Sequence, residues 1–281
     1  MSKDAREQLE IELLLEAIYR QHGLDFRNYA LPSLRRRLWN AVQSEGVNTL
    51  SALQEKVLHD EDCVNRLIPQ VSVSVTTMFR DPSFFVSFRQ NVVPLLRSFP
   101  FVRIWHAGCA TGEEVYSMAI LLQEEGLLER SRLYATDLDA GALEQSKSGI
   151  FSLEQMQEYS ANYIKAGGKE TLSSYYTAKY DHAIFRAALR KNMVFSQHNL
   201  ASDGPFNEFN VILCRNVMIY FDEVLQERAL SLFHQSLRRR GFLALGQRES
   251  LAHTQFTSLY EELDGREKLY RKLPAGTGAS D

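Results

Sequence analysis

The run Ile104-Trp105-His106-Ala107-Gly108-Cys109-Ala110-Thr111-Gly112-Glu113-Glu114 constrains the fold more than any other part of the chain. An apolar, strand-like segment ends in small residues and two glycines, and a helical pattern, Glu113–Glu124, opens at once. This is the grammar of an open α/β sheet, where glycine lets a ligand approach the backbone at the carboxyl edge of the strands. Phe101–Ala107, Leu133–Thr136, Met193–Ser196, Val211–Cys214 and Phe242–Gly246 read as buried strands. Helical patterns across Ala140–Ser148 and Val224–Arg239 alternate with them. Such alternation predicts a parallel sheet covered on both faces. Tyr175–Val194 breaks the rhythm, and its tyrosines and alternating apolar residues predict a small antiparallel β insert, at about 172–194.

Upstream of Val71 the periodicity is helical throughout. Ala5–Arg20 stops at Gly23, Leu31–Ser44 starts with Pro32 in its first turn, and Thr49–His59 and Asp62–Gln70 follow. The expected organisation is an all-α N-terminal domain over 1–85 and an α/β domain over 86–281, with Pro274–Asp281 as a frayed tail. A length of 281 residues accommodates both. A net charge of −3 argues against a generally basic chain that coats nucleic acid. No window approaches a membrane span, and Met1–Glu12 has no apolar signal core, so a cytoplasmic protein without membrane insertion is expected. Cys63, Cys109 and Cys214 lie far apart, which suits a reducing compartment. The seven histidines show no paired ligand spacing, so no metal is expected.

The glycine turn is not a phosphate cradle. It lacks G-x-G-x-x-G and G-K-[ST], and Glu113 and Glu114 would repel a pyrophosphate while complementing their own helix dipole. A ligand suited to it carries positive charge and no phosphate. S-adenosylmethionine fits that description; alternatively, the two glutamates are ordinary first-turn residues. In Tyr134-Ala135-Thr136-Asp137-Leu138-Asp139 one carboxylate can accept both hydroxyls of an unphosphorylated ribose, while Asp139 is equally placed to cap the next helix. In Cys214-Arg215-Asn216-Val217-Met218-Ile219-Tyr220-Phe221, polar residues directly follow a buried strand; Met218, Ile219 and Phe221 read as core.

Together with Thr76-Thr77-Met78-Phe79-Arg80-Asp81 and Asn199-Leu200, these blocks resemble the chemotaxis-receptor glutamate methyltransferases, the CheR family. The resemblance covers most of the chain and is strongest over Cys214–Asp222; the N-terminal helices join it more loosely, through Tyr29 and Leu34–Leu38. It implies a Rossmann-like S-adenosylmethionine-dependent methyltransferase domain with a small antiparallel β insert, preceded by an all-α domain. It further implies that Arg80 meets the methionine carboxylate of the cofactor, with Ser74 and Thr76 beside it. Gly108 lines the turn, Glu114 contacts the methionine end, Asp137 holds the ribose, and Asn199 and Leu200 flank the adenine. Arg215 and Asn216 line the same cleft, and Tyr220 stands near the transferring methyl group, with Arg80 as the clamp. Four departures are visible. Ser74 stands where the family often has Asn, and Val115 replaces a common proline. Leu245-Gly246-Gln247-Arg248-Glu249-Ser250 replaces a glycine-histidine-serine-glutamate run. The insert stretch Tyr180–Phe185 lacks the glycine with which some members dock a receptor tail peptide.

Between Arg20 and Ser44 stand five arginines (20, 27, 35, 36, 37) and one acid, Asp25, a local balance of +4. A solvated helix face is the plain reading of such a run. The resemblance makes Arg35, Arg36 and Arg37 a docking surface for acidic receptor helices. The expected activity is methylation of glutamate side chains on methyl-accepting chemotaxis proteins, giving methyl esters and S-adenosylhomocysteine, by a monomer. The alternatives are a carboxyl methyltransferase for another protein or small acid, or a non-catalytic S-adenosylmethionine-binding module. A glutamate carboxylate, with pKa about 4.3, is already ionised at neutral pH, so the reaction needs positioning and water exclusion rather than a base.

Overall fold

The computed structural model describes residues 2–73 and 75–274, and the chain separates into two compact units. Ser74 therefore lies outside the described residues, as does the tail beyond Pro274.

The helical unit takes the chain up to residue 73, together with Asn199–Gly204 and Tyr220–Ala229. Its helices are α1 (Lys3–His22), α2 (Leu31–Ser44), α3 (Leu50–His59) and α4 (Cys63–Val71). Ser2 and Thr49 cap α1 and α3 by accepting the N–H of Ala5 and Ala52, and Gly23 at φ 72° ends α1 in the left-handed region. Leu14 and Ile18 of α1, Leu34 and Leu38 of α2 and Leu53 and Val57 of α3 form the buried stripe that helical spacing predicts. The chain returns to this unit at Tyr220. Ala30 donates its N–H to Tyr220 O at 2.8 Å, Asp222 donates to Asn28 O at 2.9 Å, and the Tyr29 and Phe221 rings lie 5.1 Å apart.

The α/β unit starts at Val75, and its first helices are α5 (Pro82–Asn91) and α6 (Val93–Leu96). It continues through β1 (Val102–Ala107), α7 (Glu113–Glu124), β2 (Ser131–Asp137) and α8 (Ala140–Ser148). After β3 (Ile150–Ser152) and α9 (Met156–Lys165) come β4 (Tyr176–Lys179), β5 (His182–Phe185), α10 (Ala187–Arg190) and β6 (Met193–Gln197). The final elements are β7 (Phe209–Cys214), α11 (Glu223–Ser236), β8 (Leu237–Leu245), β9 (Tyr260–Asp264) and β10 (Leu269–Lys272). Helix α11 belongs to the helical unit as far as Ala229 and to this unit from Leu230.

The main sheet runs β6-β2-β1-β7-β8-β10-β9, parallel from β6 to β8. All six residues of β7 are buried, as a strand covered on both faces should be. The sheet is not purely parallel: β10 pairs antiparallel with β8 and β9, an arrangement that needs no crossover helix. Two boundaries differ from expectation. Helix α11 ends at Ser236, not Arg239, because Leu237 already pairs with Phe209 of β7 and Arg238 lies over the Phe99 ring. Sheet pairing overrides the helical propensity of the arginine run. The insert is a three-stranded sheet, β3-β5-β4, whose third strand comes from Ile150–Ser152, upstream of the segment expected from sequence. Its β4–β5 hairpin turns through Tyr180 at φ 50°. Among the described residues no helix is long and apolar enough to cross a membrane.

Candidate functional site

The turn after β1 is tied to the end of β2. Gly108 and Cys109 both donate their N–H to Thr136 O, at 2.8 and 2.9 Å. Ala110, at φ 48°, donates to Asp137 Oδ2 at 2.8 Å, while Asp137 Oδ1 accepts from Asp139 N at 3.0 Å. Both glycines are required here. A Cβ on Gly108 (φ 76°) would lie 2.5 Å from Val217 Cγ2, and one on Gly112 (φ 96°) would lie 2.0 Å from Ser146 Oγ. Asp139 caps α8, accepting from Gly141 and Ala142, so of the two strand-end acids only Asp137 faces the turn. Each Asp137 oxygen takes one backbone N–H and keeps acceptor capacity for a hydroxyl. Burial pushes its carboxyl above the usual range, against the pull of the Asp139 and Ala110 amides.

The two glutamates that open α7 diverge. Glu113 is buried and turned inward, accepting from Thr111 Oγ1 at 2.6 Å and from the Tyr159 hydroxyl at 3.3 Å; burial raises its pKa. Glu114 is held between His106 Nδ1 at 2.9 Å and Arg215 Nη1 at 3.1 Å. Its carboxyl titrates below the ordinary value: burial pushes it up, but His106 and Arg215 outweigh that. His106 is thus buried and paired to the carboxylate beside the turn, with Nδ1–H as the donor that a carboxylate dictates. The Arg215 guanidinium also donates to Asp81 Oδ2 at 2.8 Å and Arg80 O at 3.1 Å, and lies 4.1 Å from the Phe84 ring centroid.

The segment ahead of α5 is fixed from several sides. Thr77 donates to Glu158, Phe79 N–H donates to Ser117 Oγ, and Asn162 donates to Met78 O. Thr76 and Arg80 are half-buried there. Arg80 Nη1 reaches Val75 O at 3.4 Å, and among the described residues no acid pairs with its guanidinium. The structure thus brings Arg80, Gly108, Glu114, Asp137, Arg215 and Asn216 into one unit.

S-adenosylmethionine fits the residues of this unit. Asn216 Oδ1 is buried without a hydrogen-bond partner, and both Asp137 oxygens retain acceptor sites. Such acceptors suit an amino group and ribose hydroxyls, and the acid-lined turn disfavours phosphate.

Asn199, Leu200 and Tyr220 belong to the helical unit. Asn199 is buried; its Oδ1 accepts from Ala201 N and its N–H donates to Asp203, leaving Nδ2 without a partner. Leu200 is buried beside it in the chain. The Tyr220 ring lies under the Arg37 guanidinium, 4.9 Å from its carbon.

The arginine surface needs correction. Arg37 is 7% exposed, donates to Val71 O and Ser33 Oγ, and covers Tyr220, so it does not belong to an open docking face. Three consecutive helical residues are spread about 100° apart and cannot share one face. Arg35 pairs with Glu7, Arg20 with Glu16, and Arg27 with Asp25 and Glu16. The acids of α1 neutralise much of the +4 counted along the sequence. Arg36 remains exposed.

Sequence reasoning missed Glu249. Its carboxylate accepts the N–H groups of Gly246, Asn216, Val217 and Met218. The signal was present: the departing run at 245–250 keeps a glycine and a glutamate three positions apart, Gly246 and Glu249.

Residues 74–266 match the family described as CheR methyltransferase, SAM binding domain, and residues 9–71 match its all-alpha domain. A Pseudomonas putida protein with the provisional name methyltransferase Cher3 is 48% identical over 272 residues, which cover 97% of this chain and 100% of that protein. A 104.1 kDa Rhodobacter capsulatus protein is 30% identical over 94% of this chain, which spans 27% of its length. The chemotaxis protein methyltransferase of Listeria monocytogenes is 27% identical over 83% of this chain and 87% of its own.

Proposed function

The chain belongs to the CheR methyltransferase family, and on that premise we propose that it methylates glutamate side chains on the cytoplasmic helices of methyl-accepting chemoreceptors. The observation that carries this reading is the paired arrangement of Asp137 on the glycine turn and Glu114 between His106 and Arg215. It supplies hydroxyl and amino-group recognition without a free acid–base pair. When bound, S-adenosylmethionine would supply a methyl group activated on a sulfonium, which is already a good leaving group toward a carboxylate. The carboxylate, ionised at neutral pH, needs no base. Orientation and exclusion of water are what remain, worth about 7–11 kcal/mol of barrier.

Asp137 holds the ribose in this proposal, and Glu114 and Asn216 receive the amino end. Arg80 meets the methionine carboxylate with Thr76 beside it, and Gly108 gives the close backbone approach. Following the family resemblance, Asn199 and Leu200 flank the adenine and Tyr220 orients the reacting groups. Arg36, with half-exposed Arg35, is the docking contribution of α2. The relative named as a chemotaxis methyltransferase supports the substrate assignment, which implies a cytoplasmic protein.

The test is transfer from labelled S-adenosylmethionine to candidate receptors, with release of the label in base as the ester signature. Asp137→Ala is expected to weaken both S-adenosylmethionine and S-adenosylhomocysteine, because buried hydroxyls lose their acceptor at about 1–3 kcal/mol. Tyr220→Phe is expected to keep cofactor affinity and lose turnover. Base-stable label, or a purely small-molecule acceptor, would refute the receptor-glutamate assignment.

A further inference from the structure

Glu249 is almost fully buried, and its carboxylate is given over to backbone amides. Oε2 accepts from Gly246 at 2.5 Å and Asn216 at 3.0 Å; Oε1 accepts from Val217 at 2.9 Å and Met218 at 2.7 Å. Three of the four donors are consecutive. They converge because Asn216 sits at φ 61°, in the left-handed region, where successive N–H groups fold into an anion-binding nest. Among the described residues no basic side chain pairs with this carboxylate. Four N–H donors fill its four acceptor sites, so it has none left for a substrate.

The residues held by this nest flank the cofactor turn. Val217 stands so close to Gly108 that an added Cβ would meet its Cγ2 at 2.5 Å. Asn216 carries the buried, unpartnered Oδ1, and the preceding Arg215 grips Glu114 and Asp81. Every side chain of 215–217 thus bears on the methionine end of the candidate site, yet the backbone that aims them is in a conformation L-residues avoid.

We infer that Glu249 is a positioning residue for cofactor binding: its carboxylate holds the 216–218 backbone in the nest, so that Val217 backs the Gly108 turn and Asn216 offers its amide oxygen to the ligand. The inference rests on the cofactor site proposed above. It adds that the site's shape depends on an acid that does not touch the ligand.

The test measures S-adenosylhomocysteine binding by calorimetry, well below the melting temperature of each variant, so that only folded protein is read. Glu249→Gln keeps the shape but points two amide hydrogens at two amide donors. Its Kd is expected to rise about tenfold or more, the equivalent of one lost buried hydrogen bond. The KM for S-adenosylmethionine is expected to rise by more than kcat falls. A folded Glu249→Gln that binds with wild-type affinity overturns the inference, even if it melts earlier. Val217→Ala decides the matter independently if Glu249→Gln does not fold: it leaves the nest intact and removes only the contact on Gly108. An affinity loss of about threefold or more supports the link, and unchanged affinity overturns it. Failure of the wild-type protein to bind S-adenosylhomocysteine would instead sink the cofactor site itself, which separates the two failures.

Discussion

Arg215 and Glu114, 101 residues apart in the chain, form an ion pair at 3.1 Å that ties the end of β7 to the first turn of α7. The arginine side chain is 2% exposed and also grips Asp81. Its removal leaves Asp81 without its cation and Glu114 with His106 alone, in partly buried surroundings. Arg215→Met is expected to cost about 3 kcal/mol or more in urea unfolding. A cost under about 1 kcal/mol, typical of exposed pairs, would show that the pair is solvated. Arg215→Lys is expected to fall between, because a point charge cannot reproduce the planar fork.

Gly108 and Gly126 both have φ near 70°, at 76° and 68°, but only Gly108 is crowded. An alanine at Gly126 meets open space and is expected to cost about 1–2 kcal/mol of backbone strain. Gly108→Ala carries the same strain and must also displace Val217, for roughly a further 1–3 kcal/mol. It is further expected to weaken S-adenosylhomocysteine binding, which Gly126→Ala should leave unchanged. Equal thermal and calorimetric effects in the two variants would contradict the crowding argument.

Arg36 and Arg37 are neighbours in sequence and opposites in environment. Arg36→Glu is expected to preserve the melting temperature and raise the KM for receptor, with the difference from wild type shrinking as salt rises. Arg37→Glu places an uncompensated charge under Val71 O and the Tyr220 ring, and is expected to destabilise the protein by about 3–5 kcal/mol. Paired denaturation curves and receptor kinetics distinguish the two roles. An Arg37→Glu protein of normal stability would return this residue to the surface.

Glu45 carries the clearest acid-stability signal. Two hydrogen bonds from Arg66, at 2.8 and 2.9 Å, and one from Lys56 lower its pKa from 4.5 to about 2. A depressed carboxyl stabilises fully above its unfolded pKa and loses that contribution as pH falls through the folded one, so the window runs from 4.5 down to about 2. Glu45→Gln is expected to lower the melting temperature near neutrality and to converge on wild type as the pH approaches 2. Parallel curves across that window would show that the pair does not outlast solvent screening.

Much of this was legible from local pattern. Glu113–Glu124 and Leu31–Ser44 are helices over the residues that periodicity and breakers predict, because their start and stop signals are carried by the chain itself. The assignment of Asp139 as a helix cap and Asp137 as the acid facing the turn needed only the i, i+2 and i, i+3 spacing of a cap to be chosen between them. What escaped depended on residues remote in sequence. Leu237 became strand because Phe209 was waiting to pair with it. Arg35 lost its free charge to Glu7, twenty-eight positions away, and Glu249 found three of its four donors in a turn more than thirty residues upstream. A window of local charge or propensity contains none of these partners.

The pairing of Asn28–Ala30 with Tyr220–Asp222 bears on how this protein could be cut and regrafted. An excised fragment ending at residue 73 would lack the segment that Tyr29 stacks on, and Arg37 would lose the ring it covers. Replacing the N-terminal helices with those of a relative would leave a foreign surface facing a native Tyr220 and Phe221. Helices and the stretch Tyr220–Ala229 therefore constitute one heritable block despite the intervening sequence, and a chimaera that retains function should exchange them together.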